Sequence, residues 1–188
     1  KKILMSGGGR CNFTNLYAGP ENFLSHNPHF CKSALSRYSP WDFIELVKRH
    51  RIAYHEKTLG QLFCDHASKD IVQLLLDECK AAKVTIKTLA NIDTVTKVTK
   101  PSHFKLSGQI HNKPEILQCN ALVVACGGLS IPTMGASPFG YKVAEQFGLK
   151  VWPTRAALVP FTWHQHDKEK FSELSGVSVN TRVSCNGM

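Results

Sequence analysis

The sequence predicts an α/β fold that carries a β-meander and runs into the start of a second, β-rich unit. Three observations predict it. Two stretches, 40–50 and 69–82, repeat apolar residues at helical spacing. A block of short strand-like segments follows them. The segment Ala121–Ala125 is then almost wholly apolar, the pattern of a strand covered on both faces of a sheet.

Taken in order, Ile3, Leu4 and Met5 read as a short buried strand before three consecutive glycines. Ser39-Pro-Trp-Asp42 is a helix start: Ser39 caps, Pro40 suits the first turn, and Asp42 faces the positive helix end. Phe43, Ile44 and Val47 form the apolar face of that helix. Ile52–Glu56 and Gln61–Cys64 read as strands joined by a turn through Gly60. Ser68 is placed to cap the second helix, whose stripe is Ile71, Leu74, Leu75 and Cys79. Val84–Thr88, Ile92–Thr99, His103–Leu106 and Glu115–Cys119 are the strands of the meander. Ser137-Pro138 opens a helix that stops at Gly148. Leu158–Trp163 and Val177–Ser184 read as strands of a different unit. The composition shifts between Pro153 and Pro160, so the expected domains are 1–155 and 156–188.

With 23 basic and 14 acidic residues the chain carries a net charge of +9. The basic residues read as scattered. Lys48, Arg49 and Arg51 form their densest group, at a helix end where cations complement the macrodipole. This reads as a solvated face, and nucleic acid is not expected as a partner. No apolar run has the length of a membrane span, and no signal peptide is visible. The seven cysteines are odd in number and include no CxxC, which suits reduced thiols in a cytoplasmic protein. His26-x-x-His29 and His164-x-His166 lack partners at a metal-site spacing, so no metal is expected.

The chemistry centres on Lys2-Ile-Leu-Met-Ser-Gly-Gly-Gly-Arg-Cys-Asn-Phe-Thr-Asn15. Three glycines in a row are entropically costly to order, and they suit a backbone that must approach a flat or anionic ligand closely. Free N–H groups in such a loop can form an anion-binding nest. Ser6, Arg10, Cys11, Asn12, Thr14 and Asn15 put a cation and hydrogen-bonding groups beside it. Spacing alone leaves a plain glycine-rich turn open as well. Leu122-Val-Val-Ala-Cys-Gly-Gly128 is the second motif, an apolar segment ending in two glycines where ligands of α/β sheets bind.

The first motif closely resembles the SGGGRCNxTN signature of the YhiN/BaiN-like family of FAD-dependent oxidoreductases. Gly60-Gln-Leu-Phe-Cys-Asp-His-Ala-Ser-Lys69, Ala125-Cys-Gly-Gly-Leu-Ser130 and Gly135-Ala-Ser-Pro-Phe-Gly-Tyr141 resemble further family segments, with Gln61, Cys64, Cys126 and Met134 as departures. Leu158–Phe161 and Leu174–Val177 resemble the opening of an inserted domain. The resemblance implies a partial Rossmann-like FAD-binding domain. It places Gly7, Gly8, Gly9, Arg10 and Cys11 against the isoalloxazine ring, with Asn12, Thr14 and Asn15 shaping the loop. It places Gly127 and Gly128 on the pyrophosphate and adenosine side, and the backbone of Ile92 at the adenine edge. A GxGxxG unit, its acidic ribose partner and a C-terminal flavin segment are not in this sequence. An internal fragment that binds FAD weakly alone is therefore expected.

The expected activity is that of an FAD-dependent oxidoreductase passing a hydride from a nicotinamide donor, NAD(P)H, to a small-molecule substrate. Arg10 and the loop N–H groups are assigned to stabilise the reduced flavin. Cys11 lacks a second cysteine near it in sequence, so it reads as a packed thiol and not a redox one. No general acid or base is identified, and His55, His66 and Tyr141 qualify by residue type only. The alternatives are a tRNA-modifying flavoprotein and a cofactor-free fragment.

Overall fold

The computed structural model describes residues 1–156, 162, 164–174, 177, 179–182 and 184. They fall into two compact units, Lys1–Gly148 and Leu149–Met188. The first unit mixes helices with two antiparallel three-stranded sheets, an α/β fold.

Helix α1 (Lys2–Met5) leads through a 3₁₀ turn (Ser6–Gly9) into strand β1 (Asn12–Asn15). Two helices follow, α2 (Lys32–Arg37) and α3 (Pro40–Arg49), and then strands β2 (Tyr54–Glu56) and β3 (Gln61–Cys64). The sheet order is β1-β3-β2, with β3 central. Ser39 caps α3 as expected. Its N–H and hydroxyl both donate to Asp42 Oδ2, at 2.7 and 2.6 Å, and these bonds hold the Asp42 carboxyl below the usual carboxylate range.

Helix α4 (Lys69–Ala81) lays its apolar stripe on this sheet. Leu74 is 1% exposed and joins Val47, Leu46, Ile71, Cys11 and Cys64 in one buried cluster. Phe13 leans on this cluster and meets Tyr54 edge-to-face, with ring centroids 5.5 Å apart. The cluster lies directly beneath the glycine turn, because Cys11 belongs to both.

The second sheet is a meander of β4 (Ala90–Thr99), β5 (Ser102–Ile110) and β6 (Lys113–Cys119). Val95, Leu106 and Leu117 stand in one cross-strand row on its inner face. Helix α5 (Phe139–Gln146) covers that face: Gln146 Nε2 donates to Val95 O at 2.6 Å, and Phe147 meets Phe104 edge-on. Gly108 is required opposite the bulge at Ile92, since a Cβ there would lie 2.0 Å from Asn91 O.

Three predicted strands differ. Ile3–Met5 forms one helical turn, closed by the Ser6 hydroxyl on Ile3 O at 2.7 Å. Val84–Thr88 and Ala121–Ala125 carry no ladder. A strand needs a hydrogen-bonding neighbour, and among the described residues none lies beside these segments; Val123 is 85% exposed. Of the second unit, the predicted strand Leu158–Trp163 falls almost wholly outside the described residues, and Val177–Ser184 partly so. A short helix, α6 (Gln165–Lys170), lies between them.

The cluster beneath the turn sets a stability prediction. Leu74→Ala should cost about 2–5 kcal/mol, whereas Leu76→Ala, at a position 42% exposed, should cost less than about 1 kcal/mol. Urea unfolding midpoints check both, and equal shifts would show that α4 is not seated as described.

Candidate functional site

The glycine turn is clamped on both sides by backbone and side chain. Ser68 N–H donates to Gly9 O at 2.8 Å, and the Ser68 hydroxyl donates to Leu4 O at 3.0 Å. Cys64 N–H donates to Arg10 O at 3.0 Å, with Cys11 O at 3.4 Å. Within the turn, Cys11 N–H reaches Ser6 O at 3.0 Å and Arg10 N–H reaches Gly7 O at 3.3 Å. Those two amides are therefore spent internally, so an anion nest at Arg10 and Cys11 is not available.

Gly7, Gly8 and Gly9 have φ of 55°, 65° and 88°, in the left-handed region that glycine enters at little cost. Their surroundings divide them. A Cβ on Gly7 would lie 2.6 Å from Asn12 N and 2.7 Å from Phe63 Cε1. A Cβ on Gly8 or Gly9 would meet nothing within 4 Å. Gly7 is thus needed by the fold, while Gly8 and Gly9 keep bare backbone facing open space. That open, side-chain-free cradle fits a flat ring lying on the loop, the role that the resemblance implies for a flavin.

Arg10 is exposed, and among the described residues its guanidinium has no carboxylate partner. A structural salt bridge, the ordinary use of such an arginine, is not what holds it there. Asn15 anchors the next segment: its amide nitrogen donates to Leu59 O at 2.9 Å and its oxygen accepts from Tyr17 N–H at 2.8 Å. The Asn12 amide nitrogen, oriented toward Leu62 O and Thr14 O, donates to both, at 3.2 and 3.0 Å. Gly127 has φ 76° with open space beside it, and the Tyr141 hydroxyl stands 3.1 Å from where a Cβ of Gly128 would be. No hydrogen bond ties Ile92, Gly127 or Gly128 to the glycine turn among the described residues.

Two features beside the turn are not visible from spacing. Cys11 has a neighbour after all: Cys64, fifty-three positions on, meets it through the backbone and shares its buried cluster. Burial pushes the Cys64 thiol up to about 11, with the nearby Cys11 adding to the rise, so Cys64 stays protonated at neutral pH and is a packing group. The second feature is a pair. His55 Nδ1 and Asp65 Oδ1 are 2.7 Å apart, and the His55 ring stacks on Phe63, the ring that abuts Gly7. An imidazole oriented by a carboxylate through Nδ1 keeps Nε2 for proton exchange. A β-strand places His55 and Phe63 side by side in register, which no linear motif encodes. Among the described residues no group of three metal-ligating side chains converges.

Comparison with known proteins shows the family. The chain is 56% identical over 184 residues to the ribosomal RNA dihydrouridine synthase of Escherichia coli K12, covering 98% of this chain and 44% of that protein. It is 48% identical to the ribosomal RNA dihydrouridine synthase of Haemophilus influenzae, covering 98% of this chain and 45% of the relative. It is 24% identical to the 3-dehydro-bile acid delta(4,6)-reductase of Clostridium scindens, again over 98% of this chain and 43% of the relative. The chain thus spans less than half the length of these relatives. The two relatives named for ribosomal RNA overturn the expectation that nucleic acid is not a partner, which rested on the basic residues being scattered along the sequence. Residues 1–187 match the HI0933-like protein Rossmann domain, and the chain belongs to that family.

Proposed function

We propose that this chain carries the ring-facing loop of an FAD-dependent enzyme that reduces a uridine of ribosomal RNA to dihydrouridine. The observation that carries the reading is the pair of ribosomal RNA dihydrouridine synthases, 56% and 48% identical across 98% of the chain. The third relative supports the same bond chemistry, because its name describes reduction of double bonds next to an oxidised carbon. Uracil offers such a bond: C5=C6 is conjugated with the C4 carbonyl, so C6 accepts a hydride and C5 a proton.

Bound FAD would supply the hydride, with NAD(P)H as the proposed source of its electrons. Gly8 and Gly9 leave the loop open to the ring, and Gly7 with Phe63 fixes the loop's height. Arg10, exposed and without a carboxylate partner among the described residues, would stabilise negative charge on the reduced ring at its N1–C2 edge. Ser6, Cys11, Asn12, Thr14 and Asn15 hold the loop in shape. Ile92, Gly127 and Gly128 are assigned to the adenosine and pyrophosphate side. His55, oriented by Asp65, holds at Nε2 the proton destined for uracil C5.

The test uses the full-length protein with NADPH and ribosomal RNA lacking dihydrouridine. One uridine should gain the mass of two hydrogens, read by mass spectrometry of nuclease digests. Gly8→Val should purify folded but without flavin, since its side chain would fill the cradle and a β-branched residue would strain the left-handed backbone of the loop; full flavin occupancy in that variant would reduce the loop to a turn. Arg10→Met should keep its flavin yet lower the reduction potential by about 30 mV or more, equivalent to about 1.4 kcal/mol for a two-electron couple. An unchanged potential would remove Arg10 from the chemistry. RNA left unreduced by flavin-replete enzyme would reject the substrate.

A further inference from the structure

A hydride reaches C6 of uracil through the face of the ring. In a stacked helix that face is covered by the neighbouring base, so the target has to leave the stack, at a cost in stacking that the protein must offset. The first sheet carries groups suited to that task. Its core face holds Leu62, Cys64 and Tyr54. Strand register puts Asn12, Phe63 and His55 in one row of the opposite face. Asn15 and Gln61 stand in the next row, and Lys57 joins it, its N–H donating to Gln61 O at 2.9 Å. The glycine turn bounds this face at the Phe63 end, where Gly7 abuts the ring. Lys57 Nζ lies over the same ring, 5.4 Å from its centroid. Lys57 is exposed and has no carboxylate partner among the described residues, and Glu56 beside it pairs with Leu62, on the core face.

Tyr17 stands at the far end of the sheet, beside Asn15. Its ring lies against Gly60: a Cβ there would be 2.6 Å from Tyr17 Cδ2 and 3.1 Å from the Asn15 amide oxygen. Gly60 is three residues before Phe63 in sequence, so the ring sits about 10 Å along β3 from the Phe63 end. Leu16 N–H donates to Gly60 O at 2.9 Å, and Tyr17 N–H donates to the Asn15 amide oxygen at 2.8 Å. The backbone around Tyr17 is thus tied to the sheet, yet its side of the molecule is open and the residue is 70% exposed. An aromatic ring held at its backbone and left open to solvent is suited to stacking on a base.

We propose that this face of the first sheet is the track of an unpaired RNA strand: the target uridine lies at the Phe63–His55 end, Lys57 meets a backbone phosphate beside it, and Tyr17 stacks on a neighbouring base. The inference rests on the ribosomal RNA reading above and names where the strand around the target is held. The face is continuous with the proposed reaction site, because His55 and Phe63 belong to both. It joins a cation to an aromatic platform, the combination that binds unpaired strands. Lys57 follows His55 by two residues on the same side of the chain, about 7 Å on, which suits a phosphate next to the target base. Tyr17 lies farther along, out of reach of the target and within reach of its neighbours. The ring replaces part of the stacking that the strand gives up when the uridine leaves it.

The test uses the full-length holoprotein and two ribosomal RNA fragments. One holds the uridine found by mass spectrometry in an unpaired segment; in the other a complementary strand closes that segment into a duplex. Affinity is read by fluorescence anisotropy across a potassium chloride series. The wild type should bind the open fragment at least about tenfold more tightly than the closed one. Tyr17→Ala should weaken binding of the open fragment about tenfold and leave the closed one unchanged, whereas Tyr17→Trp should retain the affinity. Lys57→Gln should take about 0.7 from the logarithmic salt slope, the share of one phosphate on a single strand. Flavin content should be unchanged in all three variants. Equal losses on both fragments would make Tyr17 a structural residue and overturn the inference. Undiminished affinity in Tyr17→Ala, an unchanged slope in Lys57→Gln, or a wild type that binds both fragments equally would also overturn it, and would leave the ribosomal RNA reading standing. A wild-type holoprotein that binds neither fragment would overturn both.

Discussion

Everything at the candidate site depends on two backbone carbonyls, Gly9 O and Arg10 O, each held by an N–H from another element. Ser68 N–H takes the first at 2.8 Å and Cys64 N–H the second at 3.0 Å. Three glycines cannot hold a shape of their own, because each has more accessible backbone states than any other residue. Their conformation must be imposed from outside. Here β3 and the start of α4 impose it, and both are anchored by the buried cluster of Leu74, Val47, Ile71 and Cys64. The order of the loop is thus inherited from the core. Ser68 shows the economy of this arrangement: it is 3% exposed, and its hydroxyl secures Leu4 while its amide secures Gly9.

The consequence is a division of labour within a run of identical residues. Gly7 is glycine because the Phe63 ring and the Asn12 amide leave no room for a Cβ. Gly8 and Gly9 are glycine for their left-handed φ, and the protein itself leaves the room beside them empty. Empty space beside left-handed backbone is conformational cost with no return inside the fold. It has a use when a ligand lies there. Arg10 adds a charge at the rim with no carboxylate partner among the described residues, and His55 with Asp65 adds a hydrogen-bonded pair one ring away through Phe63.

Much of this was legible in the sequence, and the failures have physical causes. The α3 start is encoded locally by Ser39, Pro40 and Asp42, and the structure forms it as read. Helix α4 and three of the four strands expected for the meander follow from periodicity alone; the fourth, Val84–Thr88, forms no ladder. Ser68 was legible as a helix-start residue but not as a clamp; it adopts φ −60° and ψ −18°, already helical, and its hydroxyl reaches back to Leu4. Ile3–Met5 and Ala121–Ala125 have strand composition but no neighbour to pair with among the described residues, and pairing is a tertiary property. The Cys11–Cys64 and His55–Asp65 encounters depend on strand register, which composition does not carry.

The central claim is that the scaffold, not the ligand, shapes the glycine loop. Amide hydrogen exchange at Cys64 and Ser68 measures this directly, in the full-length protein with its flavin and after the flavin is removed. Both amides are donors to the loop, so their protection reports whether its carbonyls stay in place. The account predicts core-like protection in both states, with little change on flavin removal. Rapid exchange of both amides in the flavin-free protein, restored only when FAD is returned, would contradict it and make the cofactor the element that folds its own site.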